Sequence, residues 1–332
     1  MTDKSNMRQV IIDSPKQILE GFNLAKNIKI DANFKNVVVC GVGGSALPVN
    51  VLNTIAKTSI PVFSHRDYGL PSLAGADSLI TCISYSGNTE ETISALEAAI
   101  EKDLKIVGLA SGGKLEQICR QKNIPFVKIP SGIQPRCATG YIFSALAKIL
   151  SNIGVADNLS DEISNSAKEL EKTSPLLEKQ GKKLAKKLFR KIPVIYASNN
   201  FKAVSRIWKI KLNENSKVPA FHNYFPELNH NEMVGYTKIQ NSKFKIQNFI
   251  VMILRDKADH PRILKRMKLT ALLLKKSGIK TEFIDIKDGS VLFKVFSALL
   301  LGDWTSYYLA LLNKIDPTPV KMVEDFKNLM EK

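Results

Sequence analysis

No stretch of this 332-residue chain approaches the roughly eighteen consecutive apolar residues of a membrane-spanning helix; Phe249 to Leu254 and Leu299 to Leu301 are strand- and helix-sized. The first residues, Met1-Thr2-Asp3-Lys4-Ser5-Asn6, are polar and lack a signal peptide's apolar stretch. Cysteine is scarce, and Cys40, Cys82, Cys119 and Cys137 show neither CxxC nor Cys/His ligand spacing, which excludes a zinc knuckle or a disulfide framework. Cys40 and Cys82 fall inside apolar runs and read as small core residues. These absences predict a reduced, cytoplasmic protein with no membrane partner and no structural metal. Acidic residues are also few: 31 Asp and Glu against 48 Lys and Arg leave a net charge of +17. Lys182-Lys183, Lys186-Lys187 and Arg190-Lys191 recur at helical spacing, but only Phe189 supplies an aromatic among them. With no nucleic-acid motif, this is a solvated basic face, and no nucleic-acid partner is expected. A basic field does attract dianionic small molecules.

What is present is alternation. Apolar runs at 37–40, 61–64, 79–83, 105–109 and 125–129 each precede a loop or an amphipathic stretch. Such alternation predicts βαβ units and a mostly parallel sheet with helices on both faces. Ile18, Leu19 and Phe22, at helical spacing, mark a helical lead-in over residues 1–34. A long charged helix over about 160–190 looks like a connector without core-sized apolar content. A second alternation follows: a strand at 194–197, a helix through Trp208, a strand at 249–254, a helix over 261–276, a strand at 282–286 and a helix through Tyr308. Asp316-Pro317-Thr318-Pro319 stops that helix, and a short one over about 320–330 ends the chain. The domains expected are thus 1–34, 35–155, a connecting helix at 156–190, 191–315 and a tail at 316–332.

Two strand-to-helix junctions carry chemistry. The run Ser84-Tyr85-Ser86-Gly87-Asn88-Thr89 lies between Leu79–Ile83 and a helical pattern opened by Glu90 and Glu91. A helix N-terminus presents free N–H groups and the positive end of its dipole, which suits a phosphate. Serine and threonine hydroxyls add donors without charge, although the same residues serve as ordinary N-caps. Gly41-Val42-Gly43-Gly44-Ser45-Ala46 follows Val37–Cys40 in the same way. Its GxGGS spacing is not the dinucleotide GxGxxG, and it lacks the GK[ST] ending of a Walker loop. Glycines there allow close backbone approach to a ligand. In open α/β sheets such loops converge at the C-terminal edge, where ligands bind. The second alternation has Ala197-Ser198-Asn199-Asn200 in place of the glycine loop and nothing like SYSGNT, so one phosphate site per chain is expected.

Together these loops resemble the sugar isomerase (SIS) domain. Gln134-Pro135-Arg136, Lys211-Leu212-Asn213-Glu214-Asn215-Ser216-Lys217 and Glu227-Leu228-Asn229-His230-Asn231-Glu232 follow in the order seen in bifunctional phosphoglucose/phosphomannose isomerases of archaea and some bacteria. The resemblance runs from about residue 15 onward; any one motif is weak, and the combination is specific. It implies an α/β fold of two doubly wound SIS-type domains, each with a mostly parallel sheet flanked by helices. One departure is Pro48-Val49, where relatives usually have a further glycine after GGSA.

The resemblance also implies residue roles. Gly43, Gly44, Ser45, Ser84, Ser86 and Thr89 would hold the phosphate of a phosphorylated hexose. Glu214 would be the base that moves a proton between C1 and C2; without the resemblance it reads as a solvated glutamate at a helix end. His230 would open the sugar ring from the neighbouring subunit, making the enzyme a homodimer, with His222 and His260 as weaker candidates. Arg136 would hold the enediolate oxygen, with a structural ion pair as the other reading. Lys327 matches a C-terminal lysine that assists at the sugar oxygens, while Lys314 and Lys321 compete for that assignment. Thr318 falls where bifunctional relatives leave room for rotation about the C2–C3 bond.

The activity implied is interconversion of glucose 6-phosphate and mannose 6-phosphate with fructose 6-phosphate, without metal or other cofactor. The alternatives are another SIS-type phosphosugar isomerase and a non-catalytic phosphosugar-binding regulator. The second α/β half speaks against the first of these. Against the second, no helix-turn-helix stands out in the first 34 residues.

Overall fold

The computed structural model describes residues 2–31, 33–237 and 246–330. Two compact units partition the chain. The first comprises Ile12–Glu171 with Ser290–Leu292; the second comprises Met1–Ile11, Lys172–Gly289 and Phe293–Lys332.

The helix α1 (Met7–Leu24) opens the chain. The first unit then builds β1 (Asn36–Cys40), α2 (Leu47–Ile55), β2 (Val62–His65), β3 (Ser78–Ile83), α3 (Glu90–Glu101), β4 (Lys105–Ala110), α4 (Gly113–Gln121), β5 (Phe126–Lys128) and α5 (Thr139–Asn152). Its five strands form one parallel sheet in the order β2-β1-β3-β4-β5. Covered on both faces, the central strands must be apolar throughout rather than alternating. Val37, Val38, Val39, Leu79, Ile80, Val107 and Leu109 are buried accordingly.

After α6 (Ser160–Leu188), the second unit builds β6 (Ile192–Ser198), α7 (Lys202–Ser216), β7 (Phe221–Phe225), β8 (Phe249–Arg255), α8 (Pro261–Lys276), β9 (Lys280–Asp285), α9 (Val291–Leu312) and α10 (Lys321–Met330). The sheet order is β7-β6-β8-β9, again all parallel. This is the order of β2-β1-β3-β4, so β6 and β8 are the topological counterparts of β1 and β3.

Several expectations need correction. The helix expected to lack core-sized apolar content buries Ile163, Ala167, Leu170, Leu177, Leu184, Ala185 and Leu188, because its sparse apolar residues recur at helical spacing. The strand β7 has no counterpart among the expected elements, and β9 begins two residues before the expected 282. Although no apolar run reaches membrane length, α9 is long and apolar enough to cross a membrane by composition. Its window is 83% buried, the behaviour of a core helix, and Gly302 lets it pack directly on Trp208, whose Nε1 donates to the Ala298 carbonyl at 2.8 Å. The terminal helix appears as expected, and the last two residues of the 316–332 tail lie outside the described residues.

Candidate active site

At the C-terminal edge of the first sheet, four strand-end loops interlock through their backbones. A Cβ on Gly44 would lie 2.8 Å from the Pro135 carbonyl carbon and 2.9 Å from the Arg136 nitrogen, so the GGS loop touches the QPR turn main chain to main chain. Gly87 has φ +77°, and a Cβ there would meet the Gly112 carbonyl oxygen at 1.7 Å. Only glycine fits either position. Ser111-Gly112-Gly113, after β4, is thereby a third glycine loop at this edge, one that sequence reasoning passed over although its composition matched the other two.

The hydroxyls divide into two kinds. Ser45 Oγ accepts the Tyr85 N–H at 2.9 Å, tying the first loop to the second. Ser84 is wholly buried; its Oγ accepts the Gly87 N–H at 3.0 Å and pairs with Thr89 Oγ1 at 2.8 Å. These bonds shape the loops. Ser86 is exposed, and its Oγ accepts only a long 3.3 Å contact from the Asn88 N–H. Thr89 stands at the N-cap of α3, yet its side chain makes no capping bond. The capping role that would explain its residue type is therefore not the role it performs.

Tyr85 is the clamp of the group. Its hydroxyl donates to the Pro130 carbonyl and accepts the Ile133 N–H, both at 3.1 Å, and Ser111 Oγ donates to its carbonyl at 2.6 Å. Burial pushes its phenol pKa up, so it stays protonated and able to donate. The segment it holds leads into the 3-10 turn Pro135–Cys137, where Arg136 is 1% exposed and donates to Gln134 Oε1 at 3.3 Å.

In the second unit, Glu214 is half-buried in the last turn of α7. Three neighbours in sequence fix that turn. Lys211 pairs with Asp303 of α9, Asn215 Nδ2 donates to Ser306 Oγ at 2.9 Å, and Ser216 Oγ donates to the Ser306 carbonyl at 2.7 Å. Lys217 closes the helix at φ 52°, its Nζ donating to the carbonyls of Glu214 (2.8 Å), Asp316 (3.0 Å) and Pro317 (3.1 Å). The structure thus brings Glu214 beside the turn that carries Thr318. Sequence reading missed this role of Lys217 because its partners lie some hundred residues away.

The ELNHNE segment is a scaffold around one ring that makes no hydrogen bond among the described residues. Asn231 Nδ2 donates to Glu227 Oε1 at 2.7 Å, and Asn229 Nδ2 donates to Thr270 Oγ1 at 2.8 Å. Glu232 accepts the Tyr196 hydroxyl and Asn223 Nδ2, each at 2.5 Å, while Leu228 sits in the core. His230, at the end of the 3-10 turn Glu227–His230, stays exposed and outside this web.

The other candidates are placed differently. His222 lies on β7 near Ser205, and burial together with the nearby Arg206 and Lys209 charges lowers its pKa to about 4. His260 is the N-cap of α8, accepting the Arg262 N–H at 3.2 Å. Lys327 sits on α10, none of whose residues is buried, and it makes no hydrogen bond or ion pair among the described residues. Lys321 is paired with Asp325 on the same helix.

The second sheet's corresponding edge is chemically opposite to the first. After β8 come Asp256 and Asp259, both buried; Lys294 neutralises Asp256 at 2.9 Å, and burial raises the Asp259 pKa. Carboxylates stand where β3 is followed by hydroxyls, which is hostile to a phosphate dianion. Among the described residues no group of His, Cys, Asp and Glu has the arrangement to hold a metal.

Residues 177–330 match the family described as the bacterial phospho-glucose isomerase C-terminal SIS domain. The chain is 37% identical to a bifunctional phosphoglucose/phosphomannose isomerase of Caldicellulosiruptor bescii, covering 97% of this chain and 98% of that one. It is 32% identical to the protein of the same description from Aquifex aeolicus, over 95% and 98% of the two chains. Among solved structures, a hypothetical protein from Thermus thermophilus superposes with a TM-score of 0.74 at 15% identity, covering 97% of this chain and 89% of that one. At that identity the likeness shows the α/β fold alone.

Proposed function

Since the chain belongs to the bifunctional phosphoglucose/phosphomannose isomerase family, we propose that it interconverts glucose 6-phosphate and mannose 6-phosphate with fructose 6-phosphate. The observation that carries this reading is the set of hydroxyls and glycines at the ends of β1 and β3, with Ser86 exposed and Thr89 not spent on capping. Such a cradle suits a phosphate dianion, because N–H and O–H donors bind it firmly without a fixed counter-charge.

In the proposed reaction, the GGS and SYSGNT loops hold the 6-phosphate. His230, supplied by the neighbouring subunit of a cytoplasmic homodimer, protonates the ring oxygen and takes the anomeric proton, opening the ring. Glu214 removes the proton from one of C1 and C2 and returns it to the other. The electron pair left behind forms the enediolate, whose oxygen Arg136 stabilises. Lys327 assists at the sugar oxygens, and Thr318 leaves room for the C2–C3 rotation by which one base serves both epimers. The scheme calls on no metal or other cofactor.

A coupled assay on the purified chain with the three hexose 6-phosphates, with and without chelator, tests the proposal. Turnover of glucose and mannose 6-phosphate to fructose 6-phosphate in the presence of EDTA is expected. Loss of activity with chelator and recovery with zinc would point to a different isomerase chemistry, and saturable binding without turnover to a sensor.

A further inference from the structure

The second unit contains a cavity of about 450 Å³ that the proposed reaction does not use. Val194, Phe221 and Phe249 line it, and they stand at or near the starts of β6, β7 and β8. The cavity therefore opens at the edge of the sheet opposite to the one from which the turns into α7 and α8 leave. Among the described residues its walls include the rings of Phe221, Phe249 and Tyr236 with the side chains of Val194 and Ile246, and its charged or ionisable groups include Lys209, His222 and Glu232.

Among the described residues, basic charge gathers on the α7 side of the cavity. Lys209 and Arg206, three residues apart on α7, make no ion pair among the described residues, and both bear on His222. His222 beside them supplies no negative charge. Glu232 keeps its negative charge, but each of its oxygens is held by a neutral donor, Tyr196 and Asn223, and it forms no ion pair with Lys209 among the described residues. An apolar hollow lined by a lysine that has no ion pair among the described residues, with Arg206 one turn away on the same helix, suits an anion that has an apolar body. A sugar phosphate does not fit that description, since aromatic walls would strand its hydroxyls without partners.

We propose that this cavity is a binding site for a small aromatic carboxylate, with the ring between Phe221 and Phe249 and the carboxylate on Lys209. Glu232 and Tyr236 belong to the same run of turns as His230, so occupancy is expected to alter isomerase velocity as well. That second effect rests on the function proposed above; binding itself does not.

The test uses the full chain with naphthoate as probe, its neutral amide and inorganic phosphate as controls, and calorimetry with saturation-transfer NMR as readout. Naphthoate should bind saturably, and the amide or phosphate at least about tenfold more weakly, the loss expected for one charge-assisted bond. Lys209→Met should impose the same loss on naphthoate while Lys209→Arg retains binding, with circular dichroism confirming that both variants are folded. Phe221→Ala should weaken naphthoate and amide alike. Equal affinity for acid and amide, unchanged binding in Lys209→Met, or absence of saturable binding would each overturn the assignment. Binding without any effect on velocity would leave the site standing and remove only its link to His230.

Discussion

Lys211 and Asp303 form an ion pair between α7 and α9 with side chains 3% and 10% exposed, one helical turn ahead of Glu214. The pair fixes the helix that carries the glutamate, together with the bonds from Asn215 and Ser216 to Ser306. Removing one member of a buried pair strands the other's charge and costs about 3–5 kcal/mol. Asp303→Ala should therefore lower stability by that order in urea unfolding. Replacing both residues with apolar ones (Lys211→Met with Asp303→Leu) should restore most of it. An unfolding midpoint unchanged in Asp303→Ala would show that the pair contributes nothing.

Glu214→Gln should lower kcat by about 10²–10⁴ with KM nearly unchanged, the pattern of a lost proton-transfer group. Glutamine keeps the shape of the half-buried side chain, and the turn retains its anchors at Lys211, Asn215 and Lys217. Steady-state kinetics with fructose 6-phosphate decides the matter: a rise in KM at constant kcat would make Glu214 a binding group instead.

His230→Ala should cost more on the cyclic sugar than on substrate already in open-chain form, because the proposed ring opening precedes enolisation. The hydrogen bonds around it run between Asn231 and Glu227, Asn229 and Thr270, and Glu232 and Tyr196, so the fold should survive the loss of the exposed ring. Equal losses on the two forms would assign His230 another task.

The sheets were legible where both faces are covered. Val37–Cys40 and Leu79–Ile83 read as strands because a central parallel strand is apolar without interruption. The strand β7 escaped because it is an edge: Phe221 is 53% exposed, and His222 and Asn223 break any alternation. Lys280 and Thr281 hid the start of β9 for the same reason. At the candidate site the residue types were legible and their division of labour was not. Nothing in SYSGNT separates buried Ser84 from exposed Ser86; the difference arises when the loop folds on the Gly87 N–H. The cap that Lys217 makes over Asp316 and Pro317 was invisible because it joins segments distant in sequence.

His222 should give the fold an acid-side dependence. Its pKa is lowered to about 4 by burial, with Arg206 and Lys209 adding to the shift, against an ordinary value of 6.5. Between those values the unfolded chain binds a proton that the folded chain refuses, so stability rises with pH there. The contribution of this residue is present above about pH 6.5 and is lost as pH falls toward 4, with a slope of at most about 1.4 kcal/mol per pH unit. Urea unfolding of wild type and His222→Gln across that interval should show a flatter profile for the variant. Parallel profiles would mean that His222 titrates normally.

The phosphate cradle yields the sharpest contrast, because its serines are not equivalent. Ser86 spends little on the fold, being exposed, and Thr89 makes no capping bond, its hydroxyl being paired with Ser84 Oγ at 2.8 Å. Ser84 is wholly buried and holds the Gly87 N–H. A lost hydrogen bond to a charged ligand costs about 1.5–3 kcal/mol, so Ser86→Ala with Thr89→Val should raise KM by about 10²-fold or more. Remote binding energy also positions the reacting carbons, so kcat should fall with it. The melting temperature of this double variant should fall less than that of Ser84→Ala, because Thr89→Val removes one partner of the buried Ser84 hydroxyl, whereas Ser84→Ala removes its bonds to both Thr89 Oγ1 and the Gly87 N–H. Inorganic phosphate should inhibit wild type competitively and the double variant poorly. The opposite result, a destabilised double variant with wild-type KM and phosphate inhibition, would mean that these hydroxyls serve the helix after all. Measuring melting and kinetics on one preparation separates the two.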